Sequence, residues 1–251
     1  MEKILGIAMD IGEDMLKNGA EIHRVENSIK KICISLGAAR VDAFVILSCI
    51  ILTVFDEDGN SFTQTRQIKN IDTNIERLHK LNDLSRRICY KKVTSVDDIK
   101  NELNSLSNTK NYSNVIKCLS YSLISSVFSL FFGGNIRDFA VALFIGLIIG
   151  VLGFLSEKHF VNRIFIKFIS SLAASVLAFI ALVLGLITTV DYVMIGVVMT
   201  LIPGVGFTNA IRDLFVGDSI SGLLRTIEAV LYGLSIAAGY VAAAWMFGGI
   251  V

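Results

Sequence analysis

Residues 201–213 read LIPGVGFTNAIRD, and this stretch contains Pro203, the only proline in a chain of 251 residues. The proline interrupts an apolar segment of membrane-spanning length, and charged side chains follow it within ten residues. In lipid, a helix tolerates such a break only where protein or water satisfies the freed backbone groups. Transport proteins bind anionic groups and coupling ions at the ends of broken helices. The stretch therefore predicts a transport protein with a broken membrane helix.

The charged residues divide the chain into two parts. Residues 1–114 contain 32 of the 45 Lys, Arg, Asp and Glu residues, and each part is close to electrically neutral. Neither part has the basic surface of a nucleic-acid-binding protein. The second part consists of apolar runs of about 18 to 22 residues, the length of a bilayer-spanning helix. We predict an α-helical membrane protein with a small cytoplasmic α+β domain, residues 1–114, followed by a transmembrane domain of five helices, residues 115–251.

Local patterns predict the elements of the first domain. Apolar residues at helical spacing, turn residues and apolar runs rich in β-branched residues give the following order. We expect helices at 4–15 and 20–36, one buried strand at 43–55, a turn at 56–60, a strand at 61–68 that forms a hairpin with it, helices at about 72–91 and 95–106, and a linker at 104–114. The four cysteines have no CxxC or CxxH spacing, so they give no zinc signature and no disulfide framework. We predict no metal and no cofactor.

The apolar runs also predict how the chain crosses the membrane. The spans are expected at about 115–132, 139–155, 165–186, 190–208 and 226–248. The connections 156–167 and 209–225 carry most of the basic residues outside the first domain, so the positive-inside rule predicts a cytoplasmic amino terminus and an outside carboxyl terminus in the cell (inner or plasma) membrane. Because transporters usually combine two related halves, an odd number of spans without an internal repeat predicts a second membrane subunit and an oligomer.

The broken helix supplies the first group of candidate substrate-binding or coupling residues. Proline frees a backbone carbonyl, glycine allows bending or close approach, and arginine suits a carboxylate. An aspartate at this position can pair with the arginine or carry a proton. The alternative is an ordinary proline kink followed by charges at the membrane interface. The candidates are Pro203, Gly204, Thr208, Asn209, Arg212 and Asp213.

A second group of candidates follows at Asp218, Arg225 and Glu228. Arg225 and Glu228 are three residues apart, so on a helix they can meet on one face. Glu228 lies near the start of the last predicted span, where an unpaired carboxylate is costly. A proton-linked site and a plain interface ion pair explain this pattern equally well.

The motif GAEIHRVE at residues 19–26 supplies the third group, Glu21, His23, Arg24 and Glu26. Two residues such as His23 and Glu26 make a weak metal or acid–base pair, because a zinc site needs three or four ligands. A structural polar cluster is the better interpretation. Nucleotide-binding and hydrolase signatures are absent from the sequence, so we predict that the chain is not an enzyme. The competing hypotheses are a membrane-anchored hydrolase-like enzyme and a membrane-anchored regulatory or scaffold protein.

Two ordered stretches give the chain a family resemblance. The first is GAEIHRVE, and the second combines LIPG at 201–204, NAIRDL at 209–214, GD at 217–218, SG at 221–222 and Arg225. With these motifs the chain resembles the amino-terminal half of the threonine/serine exporter family, which pairs a cytoplasmic domain with a five-span membrane unit.

The resemblance implies a function and a partner. It implies export of small metabolites driven by the proton motive force, namely threonine and serine or, in two-gene relatives, dicarboxylates such as succinate. Some members of the family contain both halves in one chain. This chain corresponds to the first half, so the resemblance also implies a separate small membrane subunit that corresponds to the second.

Overall fold

The computed structural model describes residues 1–69, 71–90, 95–107, 112–159 and 162–248. The chain forms two compact units, which are described separately below. The first comprises Met1–Lys110 and Val205–Thr226, and the second comprises Asn111–Gly204 and Ile227–Val251.

The first unit begins with two helices, continues with a sheet and returns to helices. Its elements are α1 (Glu2–Lys17), α2 (Ile22–Ser35), β1 (Arg40–Ile46), β2 (Cys49–Phe55), β3 (Ser61–Gln67), α3 (Ile75–Cys89) and α4 (Val96–Ser107). These bounds confirm the four helices and the 61–68 strand predicted from the sequence. Four of the linker residues predicted at 104–114, residues 108–111, lie outside the described part of the chain. The core is aliphatic and is contributed by both the helices and the sheet.

The prediction of one strand at 43–55 is wrong. The chain turns at Leu47 and Ser48, and β1 pairs antiparallel with β2 from Arg40 opposite Phe55 to Ile46 opposite Cys49. Strand β3 then pairs antiparallel with β2, giving the sheet order β1-β2-β3. Both faces of the strands carry apolar residues, so the sequence shows no alternation that would reveal the turn. The buried residues Ile50, Leu52 and Val54 lie on one face of β2, whereas Ile51 of the same strand is exposed.

The first unit also includes most of α9 (Gly204–Val216) and the start of α10 (Ser219–Met246). Residues 209–225, predicted as a connection between two spans, are nearly all helical, and residues 219–225 belong to the span of α10. Gly217, at a φ of 101°, provides the turn between the two helices. Gly222 of α10 lies so close to α9 that a Cβ atom there would be 2.9 Å from the backbone nitrogen of Leu214. The pair is therefore a tight helical hairpin.

The second unit contains α5 (Asn114–Phe131), α6 (Ile136–His159), α7 (Arg163–Val183), α8 (Asp191–Leu201) and the rest of α10. Its helices approach one another through small residues. A Cβ atom added to Gly196 of α8 would lie 2.3 Å from the backbone oxygen of Ser125 in α5. The Ser122 hydroxyl of α5 donates to the Leu143 carbonyl of α6 at 2.6 Å. Such contacts are typical of membrane helices, whose association gains little from the hydrophobic effect.

Four of the described helices are long and apolar enough to cross a membrane, and their spans are Asn114–Phe131, Ile136–Ser156, Arg163–Val183 and Ser219–Met246. A fifth span is present if α8 and α9 count as one broken span. These two helices are bent by 60° at the break predicted around Pro203. The chain is thus a mostly helical, multi-pass membrane protein, and five spans remains a prediction.

Candidate functional site

The turn between α1 and α2 is the centre of the site. Gly19 adopts a φ of 90°, a left-handed conformation that favours glycine. The backbone N–H of Ala20 donates to the Met15 carbonyl at 3.0 Å and closes the end of α1. The segment before α3 also binds this turn, because the backbone N–H of Asn74 donates to the Asn18 carbonyl at 3.2 Å. The turn is therefore held in place before any contact with α9 or α10 is considered.

Three consecutive residues of this turn are each bound by a polar side chain of the α9–α10 hairpin, and a fourth side chain of the hairpin lies close to the next residue. The Asn209 amide donates to the Gly19 carbonyl at 3.2 Å, and Arg225 donates through Nη2 to the Ala20 carbonyl at 3.0 Å. Arg212 Nη1 donates to Glu21 Oε1 at 2.7 Å. The Asp213 carboxylate lies close to the backbone N–H of Ile22, and its Oδ2 atom is buried with no hydrogen-bond partner among the described residues.

We name this set of residues the junction. It consists of Gly19–Ile22 with Asn209, Arg212, Asp213 and Arg225, all within the first compact unit. The two motifs that gave the family resemblance, more than 180 residues apart in the sequence, therefore meet residue by residue.

Helical spacing explains why α9 can present three of these side chains together. Asn209, Arg212 and Asp213 are three and four residues apart and share one face of the helix. Arg225 comes from α10, and the close approach at Gly222 brings that helix alongside α9. The GD and SG pairs of the motif thus shape the hairpin, while the Asn, Arg and Asp side chains make its contacts.

The junction contains two ion pairs of different character. Arg225 Nε lies 3.5 Å from Asp213 Oδ2, and these side chains are only 8% and 2% exposed. The Arg212 side chain, which pairs with Glu21, is 62% exposed. The carboxylate of Asp213, a residue of α9, also lies near the amino-terminal end of α2. A carboxylate there interacts favourably with the helix dipole and with a backbone N–H that has no partner within the helix. The buried pair is therefore structural in character, and the exposed pair is open to solvent and solutes.

The remaining candidates of the first and second groups lie outside the junction. Pro203 lies between α8 and α9, and Gly204 begins α9. Thr208 lies on α9 and is exposed. Asp218 follows the Gly217 turn, and its Oδ2 atom is buried with no hydrogen-bond partner among the described residues. In the second unit, Glu228 accepts a hydrogen bond from the Tyr232 hydroxyl.

The other residues of the first motif have local partners on α2. His23 Nε2 lies 2.8 Å from the Asn27 amide nitrogen, and Glu26 accepts a hydrogen bond from Lys30. Arg24 is exposed. Within the described ranges, no group of three or more His, Cys, Asp or Glu side chains could hold a metal ion.

Sequence reasoning found the junction residues but missed their pairing. It assigned Arg212 and Asp213 to a ligand or a proton and considered Glu21 separately. The available signal was the polarity of both motifs: each has several hydrogen-bonding side chains next to a glycine turn. Local periodicity alone does not link such stretches, because it reports only neighbours along one element.

The ThrE family, described as "Putative threonine/serine exporter", matches residues 6–248. The chain is also similar to "Pheromone-regulated membrane protein 10" of Kluyveromyces lactis, with 24% identity over 242 residues that cover 92% of this chain. It spans only about a quarter (24%) of that relative's length. No solved structure matches the chain.

Proposed function

This chain belongs to the ThrE family, and from that premise we propose that it is a subunit of a secondary exporter of small carboxylate metabolites. The substrates we propose are threonine and serine, or dicarboxylates such as succinate, and the driving force is the proton motive force. A second small membrane subunit, resembling the other half of the family, completes the transporter. The amino terminus lies in the cytoplasm, and the carboxyl terminus lies outside after five spans.

The observation that carries this proposal is the junction that follows the break at Pro203. A membrane domain that serves only as an anchor needs neither a Pro-Gly interruption nor a set of buried polar contacts beside it. The contacts join the α9–α10 hairpin to the turn before α2, so a movement of the hairpin must move or break that turn. This arrangement supports a membrane protein whose helices rearrange during transport.

We assign the coupling proton to Glu228 in preference to Asp213. The Asp213 carboxylate lies between the Ile22 N–H and the buried cation of Arg225, so it serves the junction. Glu228 lies within the apolar span of α10, where a charged carboxylate is costly and a proton reduces that cost. Asp218, with its buried and unpartnered oxygen, is the second candidate.

Efflux from loaded cells tests the proposal. Cells containing labelled threonine, serine or succinate express the chain with and without a membrane protein resembling the family's second half. We expect efflux of at least one substrate only with both proteins, and we expect a protonophore to stop it. Glu228→Gln is expected to stop net efflux while exchange of labelled for unlabelled substrate continues, because exchange needs no net proton transfer.

Glu57→Gln is the matched control, since Glu57 is an exposed carboxylate in the turn between β2 and β3. It should leave both efflux and exchange unchanged. Efflux that persists at full rate with the protonophore would refute proton coupling. Normal net efflux by Glu228→Gln would remove Glu228 from the proposed role.

A further inference from the structure

A solvent-open cavity of about 640 Å³ lies in the first compact unit, beside the junction. One wall is the face of α2 that carries Arg24 and Lys31, seven residues apart, and the opposite wall is the face of α3 that carries Arg86. Arg212 of α9 lines the same cavity. The volume is within the range of about 300–1,000 Å³ that is typical of small-molecule sites.

The charges that line this cavity are strongly unbalanced. Arg24, Lys31, Arg86 and Arg212 contribute four positive charges. Glu21 is the one carboxylate among the described lining residues, and it already pairs with Arg212. Burial raises the pKa of the Cys89 thiol, against the opposing effect of the nearby Lys31 charge, so the thiol stays neutral and adds no negative charge.

Fold stability gives no reason for this cluster. Like charges on neighbouring helix faces repel one another, and elsewhere in the same unit many basic side chains have acidic partners. For example, Lys80 pairs with Glu76, and Arg77 binds both carboxylate oxygens of Asp14 at 2.7 and 2.6 Å. No such ion pair is present for Arg24, Lys31 or Arg86 among the described residues. The cavity therefore concentrates positive charge where a bound anion would remove the repulsion.

We propose that this cavity is a binding site for a small, multiply charged oxyanion. Guanidinium groups present paired donors that match the oxygens of phosphate and carboxylate groups, and three arginines line the cavity. A zwitterion such as threonine fits poorly, because its ammonium group would face the same cations. The polar side chains of Asn27, Ser28 and Asn82 supply further hydrogen-bonding groups for the uncharged parts of a ligand.

Arg212 connects a ligand in the cavity with the junction, because it belongs to both. An anion bound beside Arg212 competes with Glu21 for its guanidinium, and the Glu21 carboxylate lines the same cavity. Occupation of the cavity thus weakens the exposed ion pair of the junction but leaves the buried pair Asp213–Arg225 in place. The anion thereby acts on the α9–α10 hairpin through Arg212.

Calorimetric titration of the purified full-length protein in detergent tests the site, with pyrophosphate, succinate and threonine as three separate probes. We expect saturable binding of pyrophosphate that weakens as salt is added, because the interaction is largely electrostatic. Arg24→Gln and Arg86→Gln should each weaken this binding by about tenfold or more, as expected for the loss of a charge-assisted contact. Arg40→Gln is the matched control, since Arg40 is an exposed arginine of β1 outside the cavity, and it should bind normally.

The probes distinguish the sources of the anion. Binding of succinate but not pyrophosphate would support the oxyanion site and assign it to dicarboxylates. Saturable binding of neither, or binding of threonine as tight as that of both, would overturn the proposal. Equal loss in Arg24→Gln and Arg40→Gln would also overturn it.

Two further controls make the result unambiguous. Lys31→Gln provides a third cavity variant, and circular dichroism and the elution volume check the folding of all variants.

The site stands apart from the proposed transport function. A protein that exports its substrate but binds no anion refutes only the site, and a protein that binds anions but exports nothing refutes only the transport proposal.

Discussion

Two groups of arginine residues surround the start of α2, and they differ in burial and pairing. In the junction, Arg225 is buried and lies beside the buried carboxylate of Asp213. In the cavity, Arg24 and Arg86 are exposed and have no carboxylate partner among the described residues. A buried charge must be paired to be tolerated, whereas an exposed charge is solvated and remains available. The same residue type therefore serves as a structural contact in one region and as a binding group in the other.

Arg212 belongs to both regions. It pairs with Glu21 as part of the junction, and its exposed guanidinium lines the cavity. Breaking a buried pair by removing one partner costs about 3–5 kcal/mol, whereas an exposed pair contributes about 0.2–1 kcal/mol. The difference predicts two classes of junction variants. Replacing a buried charge should destabilise the protein strongly, and replacing an exposed charge should destabilise it only weakly.

Replacement of Arg225 should have the largest effect. Arg225→Gln leaves the Asp213 carboxylate buried without its cation, and we expect a loss of about 3–5 kcal/mol in the free energy of unfolding together with loss of efflux. Thermal unfolding in detergent measures the first and the loaded-cell assay the second. Arg40→Gln, at an exposed pair with Asp42, should change the unfolding midpoint little.

A double variant checks that the effect arises from the pair. Asp213→Asn with Arg225→Gln removes both charges, so it should be less destabilised than Arg225→Gln alone. If the two substitutions instead add their costs, the pair is not the source of the instability.

A methyl group at Gly222 should have an intermediate effect. In Gly222→Ala the new Cβ would lie 2.7 Å from Leu214 Cγ and 2.9 Å from the Leu214 backbone nitrogen, so α10 must move away from α9. Overpacking of this kind costs about 1–3 kcal/mol, and the shift also moves Arg225 from its contact with Ala20. The measurement is the thermal unfolding midpoint together with efflux.

Gly6→Ala is the matched control for this substitution. Gly6 lies within α1, and a Cβ atom there meets nothing within 4 Å. Alanine has the higher helix propensity, so this variant should be as stable as the parent or more so. Equal destabilisation by both substitutions would show that the close approach of α9 and α10 has no special role.

Much of the fold could be predicted from the sequence, because helices and apolar runs are local patterns. The helices α1 and α2 and the break at Pro203 follow from spacing, capping and proline chemistry. The hairpin at Leu47 and Ser48 could not be predicted in this way, since Leu47 is not a turn residue, Ser48 forms turns more weakly than Asn or Asp, and apolar residues flank the pair.

The candidate site was predictable only in part. Asn209, Arg212 and Asp213 stand out as polar residues after a broken span, and their chemistry suggested a ligand or a proton. Asn209 and its partner Gly19 are 190 residues apart, and no local rule connects them. Whether a polar side chain binds a ligand or another segment of the chain depends on tertiary contacts, which composition and spacing do not report.

The smallest effect on stability, and the sharpest test of the role of Arg212, comes from exchanging the exposed pair. Arg212→Glu places two carboxylates together and should destabilise the protein by no more than about 1 kcal/mol, because the side chain at position 212 is exposed and can turn away into solvent. Adding Glu21→Arg restores an ion pair of opposite polarity. We expect the unfolding midpoint of the double variant to return close to that of the parent, slightly reduced because a cation at the start of α2 opposes the helix dipole.

Efflux by the same variants separates two roles of Arg212. If Arg212 works through its contact with Glu21, Arg212→Glu loses efflux and the double variant recovers it, since the exposed contact of the junction is rebuilt. This is the outcome we expect, because the exchange rebuilds an ion pair between positions 21 and 212 at the same place in the junction. Recovery of stability without recovery of efflux would contradict it and would assign the guanidinium at position 212 directly to the transported carboxylate.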